Sequence, residues 1–149
     1  MSHSLSSLYT HVIFSTKERI ECISQQIKPE LCAYIGGIVR ELRGKALIVN
    51  GMSDHIHLLL KLPVALSIAD AMRIIKTNSS RWAREKWPKT RFGWQTGYAA
   101  FSVSRSNLED VIEYIKNQEE HHRRLSFQDE LLLFLKKHEI DYDERYIWK

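Results

Sequence analysis

The sequence predicts an α+β domain in which four antiparallel strands form one sheet with helices on one face. Three observations carry this. Four short β-rich apolar runs are separated by segments with helical spacing. Their order is strand, helix, strand, strand, helix, strand, then further helices. The chain has 149 residues, 44% of them hydrophobic and 10% aromatic, which is enough for one domain with a core and argues against disorder.

Each element has its own signal. Tyr9 to Ser15 (YTHVIFS) is β-rich and reads as a first strand. Lys28 to Arg43 repeats Leu31, Ile35, Ile38, Val39 and Leu42 at helical spacing, with Pro29 at its start and Gly44 just past its end. Ala46 to Val49 reads as a second strand. Asn50-Gly51 is a turn signal, and His55 to Leu62 (HIHLLLKL) follows as a third strand. Ser67 can cap a helix running to about Trp87, stopped by Pro88. Tyr98 to Val103 reads as a fourth strand. Ser106, with Glu109 at capping-box spacing, opens a helix to about Arg124. Asp129 to His138 reads as a last helix, followed by a polar tail. The first six elements give the split βαβ, ferredoxin-like arrangement, and the helix carrying Tyr114 has to pack outside that core. The whole chain, 1–149, is read as one domain, with 129–149 a helical and polar tail.

Charge and composition bound the function. The net charge is +4, from 22 Lys+Arg and 18 Asp+Glu. Residues 129–149 are net acidic, so the remainder is more basic than the total. Between Arg73 and Arg91 lie Arg73, Lys76, Arg81, Arg84, Lys86, Lys89 and Arg91 with the single acid Glu85. Such a run can neutralise phosphates, or it can be a solvated helix face. The expectation is a soluble, cytoplasmic protein that does not enter membranes: no apolar run has the length of a span, and MSHSLSSLYTHVIFSTKER has no leader pattern. Cys22 and Cys32 fit no zinc motif and read as reduced thiols.

Two features could carry chemistry. In Asp54-His55-Ile56-His57, strand alternation points both imidazoles to one face, a ready pair of metal ligands. A lone His-x-His is not specific, since two half-buried histidines bonded to backbone give the same pattern. Asp54 either orients a histidine or is a turn residue. In Tyr114-Ile115-Lys116-Asn117-Gln118, residues four apart share a helical face, so Tyr114 and Gln118 project together, with His122 a turn further on. Packing as a semi-buried core aromatic is the competing role of Tyr114. Together the two features make a chemical unit. A phenol oxygen can attack a phosphodiester, a Lewis acid can polarise that phosphate, and two histidines with one amide oxygen suit Mg²⁺ or Mn²⁺.

Across HVIFSTKER, SDHIHLLLKLP, FGWQTGYAAFSVS and VIEYIKNQEEHH, the chain resembles the HUH-type single-tyrosine transposases of small insertion sequences. The resemblance implies a ferredoxin-like fold. It implies that His55 and His57 bind the metal, that Gln118 is the third protein ligand, and that Tyr114 is the nucleophile. The product would be a 5′-phosphotyrosine and a free 3′-hydroxyl. It further implies homodimers with composite active sites, acting on single-stranded DNA beside imperfect hairpins. Contacts to DNA are assigned to Lys17 and Arg19 after the first strand, and to Lys76, Arg81 and Arg84 on the second helix. Trp82, Trp87, Phe92 and Trp94 either stack on unpaired bases or pack in the core or a dimer interface. His122 could approach the metal beside Gln118, but His121 and His122 are assigned supporting or surface roles. Three other functions fit parts of the pattern: a non-cutting protein that binds hairpin DNA or RNA, an HUH nuclease of replication or plasmid transfer, and a metal-dependent hydrolase. The last gives Tyr114 no task.

Overall fold

A computed structural model describes residues 4–149. The strands are β1 (Tyr9–Ser15), β2 (Lys45–Gly51), β3 (His55–Lys61) and β4 (Ala99–Val103). The helices are α1 (Ile27–Glu41), α2 (Ile68–Lys86), α3 (Leu108–Lys116), α4 (Gln118–His121) and α5 (Phe127–Lys137). The sheet order is β2-β3-β1-β4, with every pairing antiparallel. This is the predicted ferredoxin-like order.

The sheet is covered on both faces. Val12, Phe14, Ile56, Leu58 and Leu60 form one core with Leu31 and Ile35 of α1 and Met72 and Ile75 of α2. On the other face, Ile13 and Phe101 pack against Phe127, Leu131 and Leu135 of α5, and Leu59 packs against Leu108 and Ile115 of α3. β3 lies between β1 and β2, so both of its faces are buried, and six of its seven residues are fully enclosed. That explains the unbroken apolar run after His57, which alternation alone would not require.

Local signals account for most boundaries. The Ser67 hydroxyl accepts a hydrogen bond from the Asp70 amide at 3.0 Å, so it caps α2 as expected. Ser126 does the same for α5 through the Asp129 amide at 3.1 Å. Two expectations fail locally. Ser106 does not cap a helix: Arg105–Asn107 form a 3₁₀ turn, α3 starts at Leu108, and the Ser106 hydroxyl pairs with that of Ser104. The expected single helix to Arg124 is broken at Asn117, whose φ of −97° and ψ of 32° separate α3 from α4. After α1 the left-handed position falls to Arg43 (φ 64°) and not to Gly44. Gly44 meets a different demand, since a Cβ there would lie 3.0 Å from the Lys61 carbonyl oxygen. Gly51 is tighter still: its Cβ would fall 2.2 Å from the carbonyl oxygen of His55.

Candidate active site

The site grows out of β3. Because side chains alternate, His55, His57 and Leu59 face α3 and α5, while Ile56 and Leu58 enter the opposite core. Both imidazoles are fully buried. His55 Nδ1 bonds Asp54 Oδ1 at 2.7 Å. His57 Nδ1 meets Nε2 of His11, on the neighbouring β1, at 2.8 Å. The Nε2 atoms of both rings are thereby turned toward the helices.

Gln118 and Glu130 meet them there. Gln118 Oε1 lies 3.1 Å from His55 Nε2 and 3.1 Å from His122 Nε2. Glu130, projecting from α5 and only 1% exposed, brings Oε1 to 3.0 Å from His57 Nε2, 3.1 Å from His122 Nε2 and 3.4 Å from His55 Nε2. Its Oε2 accepts hydrogen bonds from the Tyr114 hydroxyl and from Gln118 Nε2. Among the described residues, one ligand atom each from His55, His57, His122 and Glu130 lies within 4.8 Å of the others, a grouping that could hold a metal ion. Tyr114 is half-buried, stacked on His121, and reaches a cavity of about 580 Å³ between α4 and α5. Arg124, Glu130, Phe134 and Lys137 also line that cavity.

Protonation follows from these contacts. Burial opposes a charge on His55, but the bonds to Asp54 and Glu130 outweigh it and raise its pKa to about 9. Burial dominates at His57, whose pKa falls to about 4, and at His11, where it falls to about 3. Burial, then the Glu130 charge, push the Tyr114 phenol well above its ordinary range. Burial would raise the Glu130 pKa, yet the bonds from His122, His55 and His57 hold it far below the usual carboxylate range.

The predicted residues divide into two groups. His55, His57, Tyr114 and Gln118 converge in one cluster. The basic residues do not join it. Lys17 and Arg19 are exposed in a 3₁₀ turn after β1. Lys76, Arg81 and Arg84 lie on α2, against the opposite sheet face. Lys76 Nζ is engaged by the carbonyls of Thr96 (2.9 Å) and Gly97 (2.7 Å), and burial lowers its pKa to about 8. Arg84 bonds the Phe92 carbonyl, and Arg81 bonds Asn78. Phe92 and Trp94 are buried in the core, while Trp82 stacks on Tyr34 at 4.2 Å.

Sequence reasoning missed Glu130 and His11, and it preferred a supporting or surface role for His122 over an approach to the metal beside Gln118. A signal for Glu130 existed. It sits among Phe127, Leu131 and Phe134 at helical spacing, so it is a carboxylate on the apolar side of a helix.

Comparison with known proteins decides the family. The family model described as "Transposase IS200 like" matches residues 4–118. The chain belongs to the IS200-like transposases. The segment matched contains His55, His57, Tyr114 and Gln118, and ends before His122 and Glu130. The transposase for insertion sequence element IS200 of Salmonella typhimurium is 27% identical over 128 residues, covering 79% of this chain and 81% of that protein. Two solved structures share the transposase fold. One is a putative transposase from Deinococcus radiodurans, with a TM-score of 0.66 at 22% identity, over 79% of this chain and 95% of that one. The other is a REP-associated tyrosine transposase bound to a REP hairpin, with a TM-score of 0.59 at 15% identity, over 82% and 74%. No helix of this IS200-like transposase, among the described residues, is long and apolar enough to cross a membrane.

Proposed function

We propose that this IS200-like transposase cleaves and rejoins single-stranded DNA beside hairpins through a 5′-phosphotyrosine on Tyr114, with help from a divalent ion. One observation carries the reading: the Tyr114 hydroxyl and the two strand histidines belong to a single buried cluster, joined through Glu130. In the cleavage step the Tyr114 oxygen bonds to phosphorus, and the bond from phosphorus to the 3′-oxygen breaks. The phenol proton has a carboxylate waiting at Glu130 Oε2. The departing 3′-oxygen takes a proton from solvent and leaves as a hydroxyl. Rejoining runs the same exchange backwards, with a 3′-hydroxyl as the attacking group.

The donor set suits a divalent cation, since imidazole nitrogens, an amide oxygen and one carboxylate surround the same point. His55 and His57 would hold Mg²⁺ or Mn²⁺, with Gln118 Oε1 adjacent. A bound ion would supply a Lewis acid that polarises the scissile phosphate and offsets its developing charge. Asp54 fixes the proton of His55 on Nδ1, which keeps Nε2 turned to the site. Hairpin-bearing DNA is the substrate we assign, supported by a neighbour of the same fold that is bound to a hairpin. A homodimer would bring two DNA ends together; in the single chain, Tyr114 lies beside His57 of the same chain.

The test is a denaturing gel with labelled hairpin-bearing single-stranded DNA and Mn²⁺, comparing the natural chain with Tyr114→Phe. The expected result is a slow, protease-sensitive DNA band with the natural chain alone, while both proteins bind the DNA. Binding without such a band across a range of hairpins would move the assignment to a non-cutting hairpin-binding protein. Normal cutting by Tyr114→Phe would remove Tyr114 as nucleophile.

A further inference from the structure

We propose that Glu130, with His122, completes the metal centre begun by His55 and His57, so that the C-terminal helix α5 is a working part of the site. This rests on the reading above that an ion is held at the histidine pair. It extends that site past residue 118, where the family match stops.

Charge is the first argument. Two imidazoles and the Gln118 amide carry no formal negative charge, yet His55, His57 and Gln118 are all fully buried. A divalent ion in such a place needs an anion beside it, and hard cations such as Mg²⁺ and Mn²⁺ favour carboxylate oxygen. Glu130 is the one carboxylate in the grouping of four. Asp54 is partly exposed and is directed at the far nitrogen of His55.

Geometry is the second. Asp54 takes His55 Nδ1 at 2.7 Å, which leaves Nε2 as the atom of that ring turned to the site. His55 Nε2 lies 3.4 Å from Glu130 Oε1. The Nε2 atoms of His57 and His122 converge on the same oxygen at 3.0 and 3.1 Å. The second oxygen of Glu130 holds the Tyr114 hydroxyl. One side chain therefore ties the ion's ligands to the nucleophile.

The experiment is isothermal titration of the full chain with Mn²⁺ alone, without DNA, for the natural protein, His57→Ala and Glu130→Gln. The substitution to Gln preserves size and acceptor oxygen but removes the charge. The expected result is one Mn²⁺ bound by the natural chain, with the affinity weakened at least about tenfold in Glu130→Gln. Unchanged affinity in Glu130→Gln, with binding lost in His57→Ala, overturns the role of Glu130 and leaves the histidine site standing. A natural chain that binds no Mn²⁺ overturns the metal reading itself. Should Glu130→Gln not fold, Glu130→Asp retains the charge and withdraws the oxygens by one methylene. It is expected to bind Mn²⁺ more weakly, and natural affinity in it overturns the proposal.

Discussion

Asp54 illustrates how much of this site is decided one atom at a time. Its carboxylate lies 2.7 Å from His55 Nδ1, and its backbone carbonyl accepts the Thr16 amide at 2.8 Å. It is both a turn residue and the partner of a histidine, so the two roles left open by the sequence are one. Replacing it by asparagine preserves the turn and removes the charge that fixes the ring. Asp54→Asn is expected to weaken Mn²⁺ binding by about tenfold to a hundredfold, as loss of a ligand's outer partner does, measured by titration calorimetry. An unchanged affinity would reduce Asp54 to its turn role. The residues legible in the sequence are those whose partners are local. His55 and His57 are two apart on a strand, and Tyr114 and Gln118 are four apart across the α3–α4 join. Glu130 and His11 were not legible, because each acquires its meaning from a partner in another element: His57 in both cases, and Tyr114 as well for Glu130.

The β2–β3 hairpin sets where the histidine pair stands. Asn50 faces His57 and Gly51 faces Ile56 across the ladder. With so little room at Gly51, Gly51→Ala has to push the hairpin apart at His55. The expected cost is about 1–3 kcal/mol in urea unfolding, together with weaker Mn²⁺ binding from the displaced ring. Wild-type values for both would show that the hairpin gives way without moving His55. Strands were well marked in the sequence because they are short β-rich apolar runs, and burial on both faces keeps β1 and β3 apolar along most of their length. The helix after β4 was not. Asn117 interrupts it without the glycine or proline that usually signals a stop, and the Asn50 side chain takes up the Ile115 carbonyl that the break frees. Even so, Tyr114, Gln118 and His122 still converge, all three within hydrogen-bond reach of Glu130.

For the whole molecule, the cluster joins parts distant in the chain: β1 through His11, β3, the α3–α4 segment and α5. An ion bound there would bind the folded chain and not the unfolded one. At a hundredfold excess over its dissociation constant, such a ligand adds about 2.7 kcal/mol of stability. For a chain of this size that is a rise of about 5–10 °C in melting temperature, to be reversed by EDTA and followed by circular dichroism. Calorimetric binding with no thermal shift would mean that the unfolded chain binds the ion equally well, against a site assembled by the fold. The layering of the fold was readable in outline, since helices α1 and α2 and four strands followed from β-rich composition, helical spacing and turn and cap signals. What periodicity could not say is that α3, α4 and α5 close the second face.

The cavity between α4 and α5 is where Tyr114 reaches the surface of the cluster, since the histidines and Glu130 behind it are enclosed. In the proposed reaction, a DNA strand lying there would fill the same opening through which solvent would approach the phosphotyrosine. How long the cut end stays seated then governs its fate. While it stays, the break can be sealed or handed to another end. Once it leaves, the linkage lies open to slow hydrolysis and the break becomes permanent. Retention of a strand end, more than speed of cutting, would be what separates this enzyme from a nuclease.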